Sequence, residues 1–485
     1  MARVCETVLV DDMRELRRLR DASTADLVEL RLDSLAEVDV RAAVEGRKKP
    51  VILTCRAKWE GGRFEGSEEE RMRILGAAIT SDAEFVDVEW RANRATLPPI
   101  ARERLVLSHH DFTGVPEDLR ARAAAMREES GTGIVKVSVS TGPLTDLLTL
   151  RDIAAADSGR HVVIGMGTTG ILSRVFPASF GSEWTYGGNA APGQVSIVEL
   201  QTRYRITGRS ASTRVFALTG RPLGHSASPA MHNAAFAALG IDAVYVPLET
   251  DDAHALIEVA EAFGVEGVSV TAPLKRDWQG AGVDLDARAS VIGAANTLSR
   301  RAGARWTATN FDVEGFLAPL KTRRNALPLR GSRCVILGAG GAARAAAWAL
   351  HQEGARVQIS GRRASAAAAL AAELGVTSTS WPPAPGWDLL VNATPVGTAP
   401  DRDASPLPQS AVKGRAVYDL VYHPRRTQLL RWAQAAGALR IEGLDMLVEQ
   451  AALQFEHWLG REAPRDVMRE AAEQFLAGPK GPAYV

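Results

Sequence analysis

Between residues 4 and 188 the chain repeats one pattern, a short aliphatic or β-branched run followed by a charged or alanine-rich stretch. The runs fall at residues 4–10, 27–32, 51–55, 85–89, 104–108, 133–139, 161–165 and 183–186, with amphipathic segments such as 67–79 and 116–129 between them. Strand–helix alternation over about 200 residues predicts a (β/α)₈ barrel near the small end of its range. In such a barrel the C-terminal strand ends meet at one mouth, where active sites sit. Glu29 and Arg31 close the second run, Arg56 the third, Glu89 the fourth and His110 the fifth, while Lys136 lies on the sixth. Any one of them alone reads as a surface charge. Their gathering at one end points to a site.

At 485 residues the chain exceeds a single core, and its length favours roughly two to four domains. Lys plus Arg and Asp plus Glu both number 57, so no net field draws in nucleic acid or an anionic membrane. Three scattered cysteines, Cys5, Cys55 and Cys334, exclude a disulfide framework and a thiolate zinc cluster, and fit a reducing compartment. His225 and His232 lack acidic or cysteine companions at ligand spacing, so no metal site is expected. The first residues soon meet acids and arginines rather than forming a signal peptide, and no apolar run approaches the ~20 residues that span a bilayer. These features predict a cytoplasmic multidomain enzyme.

Ile134, Val135, Val137 and Val139 around Lys136 mark a largely buried strand. A lysine there either snorkels out at a strand end or is held where its pKa falls. In the second case the neutral amine can attack a ketone, and the resulting Schiff base makes a proton on the adjacent carbon removable. His110 is the natural base for that proton and can return it to a leaving hydroxyl, with Glu89 orienting it. Both readings remain open on these residues alone.

A polar stretch at 207–213 separates this half from a new strand at 214–219. Strands and helices then alternate from about 214 to 316, and a second βαβ series runs from about 332 to 440. In the second series a strand at 333–337 leads into Gly338-Ala339-Gly340-Gly341-Ala342 and a helix at 342–353. Glycines between a strand and a helix let the backbone approach a pyrophosphate that the helix N-terminus stabilises. After the next strand, 356–360, come Arg362 and Arg363 where an NAD site would favour an acid; arginines suit a ribose 2′-phosphate, so NADP(H) is expected. Asn392 and Thr394, at the end of a strand at 389–391, fit the crevice beyond the strand termini. The domain opening at 214 offers the hydroxyls of Ser226 and Ser228, and the pair Lys275 and Asp312. A lysine beside a carboxylate is either a surface ion pair or a proton donor to a carbonyl oxygen during hydride transfer.

Two resemblances organise these residues. Glu29-Leu30-Arg31-Leu32-Asp33, Glu60-Gly61-Gly62 after Arg56, Ser108-x-His110-Asp111-Phe112, Lys136, Met166-Gly167-x-x-Gly170-x-x-Ser173-Arg174 and Ala191-Pro192-Gly193-Gln194 resemble type I 3-dehydroquinate dehydratase over residues 4–207. The resemblance implies an imine between Lys136 and 3-dehydroquinate, His110 as acid/base assisted by Glu89, and Arg174 clamping the carboxylate. It also implies that Glu29, Arg31, Arg56 and Gln194 hold ring hydroxyls and close the mouth. His225-Ser226-x-Ser228-Pro229-x-Met231-His232-Asn233, Val270-Thr271-x-Pro273-x-Lys275, Gly293-Ala294-Ala295-Asn296-Thr297, Gly338–Arg344, Asn392-Ala393-Thr394, Asp419-Leu420-Val421-Tyr422 and Gly443-Leu444-x-Met446-Leu447-x-x-Gln450 are similar to shikimate dehydrogenase over about 214–475. That similarity implies substrate contacts from Ser226, Ser228, Thr271, Asn296, Asp312, Tyr422 and Gln450, with Lys275 and Asp312 as the catalytic pair.

The implied fold is α/β throughout: a barrel over 1–210, a substrate domain over 214–316, a Rossmann-like NADP domain over 317–443, and helices over 444–485 returning to the substrate domain. The implied function is dehydration of 3-dehydroquinate to 3-dehydroshikimate, then its reduction to shikimate with NADPH. A quinate-directed dehydrogenase fusion and a metabolite-sensing regulator on the same folds are the alternatives; a sensor need keep neither lysine. Departures from the family patterns are Ala190 in place of serine, Ser269 in place of asparagine, Phe311 in place of a small polar residue, and Gly361 in place of asparagine.

Overall fold

The computed structural model describes residues 2–188, 190, 193–276, 278, 280–300, 303–323 and 325–478. Eight strands build the first half: β1 Arg3–Val8, β2 Leu27–Arg31, β3 Val51–Thr54, β4 Phe85–Glu89, β5 Leu105–Asp111, β6 Ile134–Ser140, β7 His161–Met166 and β8 Trp184–Gly187. They pair in parallel in the order β7-β6-β5-β4-β3-β2-β1-β8. Glu183 N, just before β8, donates to His161 O at 2.9 Å, which brings the two ends of the sheet together into a nearly closed barrel. Strand β5 runs farther than residue 108, so His110 lies within the strand and not beyond it.

Side chains of a strand alternate between its faces, and this alternation builds the barrel interior in tiers. Cys5, Leu27, Ile52, Phe85, Val106, Ile134, Val162 and Trp184, one from each strand, form an apolar plug. Two residues farther along, the inward positions become Thr7, Glu29, Thr54, Asp87, Ser108 and Lys136, all buried. The intervening Val28, Leu53, Val86, Leu107 and Val135 face outward into the core beneath the helices. On β1 to β6 this step exchanges a hydrophobic floor for a polar chamber, while β7 and β8 present Ile164 and Tyr186.

The second sheet contains β9 Arg214–Gly220, β10 Ala243–Glu249, β11 Val265–Val270, β12 Val283–Leu285, β13 Thr297–Ser299 and β14 Trp306–Thr309. Its order is β10-β9-β11-β13-β14-β12, with β13 antiparallel to both neighbours. The third contains β15 Arg333–Leu337, β16 Arg356–Ser360, β17 Thr377–Thr379, β18 Trp387–Asn392, β19 Gly414–Asp419 and β20 Leu439–Glu442. It is wholly parallel in the doubly wound order β17-β16-β15-β18-β19-β20, whose direction of winding switches between β15 and β18. Ligands of such sheets bind beyond the strand ends at that switch.

Helix Asp312–Lys321 runs unbroken through the expected limit at 316/317. It packs on both helix Gly341–Gln352 of the third sheet and helix Gly443–Leu459, so it joins the two lobes instead of ending one. Gly315 permits the crossing, because a Cβ there would stand 2.8 Å from the Cβ of Gln450. Helix Gly443–Leu459 buries Leu444, Val448 and Phe455 with Phe216 and Phe236 of the second sheet's core. The stretch between the halves is anchored: Arg209 and Thr213 bond Asp242 at 3.1 and 2.9 Å. Phe180 of the barrel meets Phe263 across the join, with ring centroids 5.2 Å apart.

Candidate active sites

The polar chamber opens into a cavity of about 100 Å³ lined by Glu29, Arg31, Arg56, Glu60, His110, Lys136, Arg174, Tyr186, Ala190 and Gln194, among others. Lys136 is only 4% exposed. Its Nζ lies 3.0 Å from Asp87 Oδ2, 3.3 Å from Glu29 Oε1, and 4.2 Å from the centre of the Tyr186 ring. The lysine is therefore not the isolated amine that its apolar chain neighbours suggest, since those neighbours point outward while carboxylates come from β2 and β4. Paired charges offset much of the cost of burial.

Asp87 is the hinge of this arrangement. It accepts from Ser108 Oγ at 2.6 Å and pairs with Arg56 Nη2 at 2.8 Å. Burial alone would raise its carboxyl, but Arg56 and Lys136 hold it well below the usual carboxylate range. Arg31 is locked by a two-pronged bond to Asp33 (2.9 and 2.8 Å), which also accepts the backbone N–H of Arg56. Arg174 is fully buried, and desolvation draws its guanidinium down to about 10.

Glu89 does not orient His110. Its carboxylate accepts from Arg71 Nη1 at 2.7 Å, Arg56 Nη1 at 3.2 Å and the backbone of Ala57 at 3.1 Å, and it is absent from the cavity wall. Glu60 takes the histidine instead: Oε2 lies 2.9 Å from His110 Nδ1 and accepts the His110 backbone N–H at 3.2 Å. The turn Lys58–Glu60 folds back over the mouth, with Gly61 in left-handed backbone (φ 77°) against the Phe112 ring, where a Cβ would come within 2.5 Å. Burial, with Arg56 and Lys136 nearby, pushes the His110 imidazole well below its ordinary value, and the Glu60 contact pulls the other way. Sequence reasoning passed over Asp87 and quoted Glu60 only within a motif, without a role, although the first shares the inward parity of Glu29 and Lys136 and the second sits four residues after Arg56. His109 is also buried, on the far side of Glu60 at 3.7 Å.

Ala190 lines the cavity, and its backbone N–H donates to Gln194 Oε1 at 2.6 Å. Gly193, at φ 69°, lies so close to Gly167 that a Cβ would meet its carbonyl oxygen at 2.9 Å. Ala191 and Pro192 of the same motif lie outside the described residues.

A second cavity, of about 200 Å³, gathers Ser226, Ser228, Thr271, Lys275, Asp312, Tyr422 and Gln450 from both lobes. Lys275 Nζ donates to Asp312 Oδ2 at 2.6 Å, and Asn296 Nδ2 donates to Asp312 Oδ1 at 2.8 Å. Asn296 stands behind the wall, accepting the Phe311 N–H at 2.8 Å and reaching Gln450 at 3.4 Å. Phe311 turns away from the cavity and meets the His457 ring at 5.3 Å. Ser269 lines the cavity and donates to Gln454 Oε1 at 2.7 Å, so the serine hydroxyl is tied down. Larger hollows of about 490 Å³ around Arg94 and about 460 Å³ around His351 hold no comparable set of facing groups.

Beside this cavity the nucleotide turn follows β15. Gly338 is left-handed (φ 111°) and walled by Ala393 and Thr394, Ala339 follows it half-buried, and the space before Gly340 is open. Gly341 serves a different need. A Cβ on it would stand 3.0 Å from Lys275 Cδ, so the lysine stem crosses the start of helix Gly341–Gln352. Ala342, next in that helix, lines the substrate cavity. Arg362 is exposed and unpaired among the described residues. Asn392, by contrast, is fully buried: it donates to Asp419 at 2.9 Å and accepts from Thr394 N and Oγ1 at 3.0 and 2.7 Å. It braces the loop that presents Thr394 and has no open face for a ligand. An open glycine turn at a helix N-terminus with a free arginine beyond the next strand fits a dinucleotide carrying a 2′-phosphate.

Three family models match the chain: type I 3-dehydroquinase over residues 4–211, the shikimate dehydrogenase substrate binding domain over 218–298, and the shikimate 5′-dehydrogenase C-terminal domain over 443–473. A bifunctional 3-dehydroquinate dehydratase/shikimate dehydrogenase of Arabidopsis thaliana, chloroplastic, is 31% identical over 91% of this chain and 79% of its own length. An NADP(+) shikimate dehydrogenase of Halobacterium salinarum is 44% identical over 53% of this chain and 97% of its own. The Thermus thermophilus shikimate 5-dehydrogenase solved with NADP(H) and shikimate superposes with a TM-score of 0.50 at 40% identity, covering 54% of this chain and 99% of that one. With its barrel, its two-lobed second half and a relative matched along nearly the whole length, the chain belongs to the bifunctional 3-dehydroquinate dehydratase/shikimate dehydrogenase family.

Proposed function

We propose that the two cavities perform consecutive steps on one carbocycle, with Lys136 as the covalent residue of the first and Lys275 as the proton donor of the second. The activities are those of the family: dehydration of 3-dehydroquinate to 3-dehydroshikimate, then NADPH-dependent reduction to shikimate. The observation that carries the reading of the first step is the buried cluster of Lys136, Asp87 and Glu29 beside His110, which Glu60 holds.

In the barrel the Lys136 amine adds to the substrate ketone, and loss of water leaves an iminium. That cation has the charge of the ammonium it replaces, so Asp87 and Glu29 remain its counter-ions throughout. The iminium acidifies the adjacent carbon, whose proton His110 accepts. Electrons from that C–H bond form the enamine and then expel the neighbouring hydroxyl, which leaves as water with the proton from His110. Hydrolysis of the conjugated imine releases product and restores the amine. Arg174 supplies a fixed cation for the substrate carboxylate, and Glu29, Arg31, Arg56 and Gln194 order the hydroxyls. Glu60 takes the orienting role first expected of Glu89.

In the second cavity Ser226, Ser228, Thr271, Tyr422 and Gln450 supply donors and acceptors for a polyhydroxylated ring, and Asn296 positions Asp312. NADPH bound at the Gly338–Ala342 turn, with its 2′-phosphate at Arg362 and Thr394 nearby, supplies a hydride. Lys275, aligned by Asp312 and by its passage over Gly341, gives the ketone oxygen its proton. In this reading the barrel takes residues 1–210, the substrate and nucleotide lobes follow from 214 and meet within helix Asp312–Lys321, and the helices from 444 complete the substrate lobe. No helix among the described residues is long and apolar enough to cross a membrane. The three buried, unbridged cysteines support a reducing, cytoplasmic setting. Supplying 3-dehydroquinate and NADPH together should yield shikimate with one NADPH consumed per turnover; accumulation of 3-dehydroshikimate with the cofactor untouched would refute the second assignment.

A further inference from the structure

Glu249, the last residue of β10, belongs to neither cavity, yet it joins them. Its Oε1 accepts from Thr168 Oγ1 of the barrel at 3.0 Å, and its Oε2 accepts the backbone N–H of Leu223 at 2.9 Å. The residue is 8% exposed and has no cationic partner within ion-pair distance among the described residues. A buried carboxylate held only by neutral donors costs desolvation that an apolar pair would avoid. Such a group is better explained by what it positions than by stability.

Both of its partners lie next to binding residues. Thr168 sits between Met166, which lines the barrel cavity, and helix Ile171–Val175, which carries Arg174 and packs against β10. Its neighbour Gly167 is the seat of Gly193, beside Gln194. On the other side Leu223 O accepts the Ser226 N–H at 3.0 Å, closing the turn that aims Ser226 and then Ser228 into the dehydrogenase cavity. A single carboxylate thus ties the segment bearing the barrel's carboxylate clamp to the segment bearing the second site's hydroxyls.

We propose that Glu249 is a positioning residue shared by both sites, through which occupancy of the dehydrogenase cavity tightens binding of 3-dehydroquinate in the barrel. The inference rests on the assignment of both activities to this chain. A ligand that fixes Ser226 also fixes Leu223, and Glu249 passes that restraint to Thr168 and so to the Arg174 and Gly193 segments. By linkage the effect must be reciprocal in binding.

The test measures the KM of dehydration in the full-length protein with and without saturating shikimate, with no cofactor present so that the second site binds without turning over. The KM is expected to fall about two- to tenfold, the range of one hydrogen bond's net contribution, with kcat unchanged. Thr168→Val should abolish the fall while leaving the KM and kcat of shikimate oxidation intact, and Thr168→Ser, which keeps the hydroxyl, should retain it. Should Thr168→Val fail to fold, Glu249→Asp, one methylene too short to reach both donors, takes its place and should likewise abolish the fall in the KM of dehydration. No fall in the wild-type protein would overturn the proposal. So would a fall that survives in the variant, or a rise of equal size in both, which marks simple competition at the barrel. In each of these cases dehydration itself continues, so the assignment of the activity is judged separately.

Discussion

Around Lys136 the charges interlock: Glu29 and Asp87 face the lysine, Arg56 bridges Asp87 and Glu89, Arg71 closes on Glu89, and Glu60 holds His110. Around Lys275 the described residues place one carboxylate, Asp312, with Asn296 behind it and hydroxyls in front. In the first set Glu29, Asp87, Glu89, His110 and Lys136 come from neighbouring strands of one barrel, with Arg56, Glu60 and Arg71 from the segments that follow β3; the second comes from segments as far apart as Ser226 and Gln450. The difference follows from the chemistry. A covalent imine keeps a buried cation in place through several steps, so its counter-charges must be fixed on rigid elements. A hydride transfer needs a cleft that admits a second large ligand, and cleft walls contributed by two lobes can move relative to each other.

The sharpest way to break this comparison is to remove one lysine and look at the other reaction. Lys275→Ala should lower the rate of reduction by about 10²- to 10⁴-fold, the usual worth of a positioned proton donor, and leave dehydration untouched. Loss of both activities would mean that the halves fold as one unit. Next in size is Glu89→Ala, which leaves Arg56 and Arg71 facing each other without their shared acid; breaking a buried pair in this way costs about 3–5 kcal/mol, read as a fall in the barrel's denaturation midpoint. Glu60→Gln should instead preserve the fold and change the pH profile. The acid limb of dehydratase kcat/KM reports His110 in the free enzyme and is expected well below 6.5, because burial and Arg56 lower that imidazole. Since the Glu60 contact raises it, Glu60→Gln moves the limb to still lower pH and reduces the rate. A limb unchanged by Glu60→Gln but shifted by Glu89→Gln would restore the orienting role to Glu89. The smallest effect belongs to Gly341→Ala. The added methyl meets the flexible Lys275 stem at 3.0 Å, so kcat of reduction should fall by about three- to tenfold through a displaced donor, with the KM for 3-dehydroshikimate little changed.

Much of the barrel was legible because each strand announces itself as an aliphatic run, and because parity along a strand is fixed by stereochemistry. Lys136 and Glu29 were found at strand positions. Asp87 was equally legible by parity, two residues after Phe85, but its neighbour Glu89 lay nearer the mouth and drew attention. Which acid reaches His110 was not legible. That pairing depends on the turn Lys58–Glu60 folding across the mouth, and no period in the chain encodes where a turn lands. The same limit explains Asn392: the motif marks the right loop, but only the fold reveals that the side chain points back to Asp419. Phe311 departs from the family pattern right beside Asp312, yet adjacency in the chain is not adjacency in the site. At the N-terminus of helix Asp312–Lys321 the two side chains diverge, one to Lys275 and the other to His457. For a related reason the expected limit at 316/317 falls inside helix Asp312–Lys321, since sequence carries no mark where one helix serves two cores.

The comparison between the two lysines turns on whether Lys136 becomes covalent. Reduction with borohydride in the presence of 3-dehydroquinate, followed by mass analysis of the digested chain, measures this directly. The account predicts a stable substrate adduct on the peptide containing Lys136, and none on the peptide containing Lys275. A protein whose dehydration is fast but whose mass is unchanged, or which carries the adduct on another lysine, would contradict it.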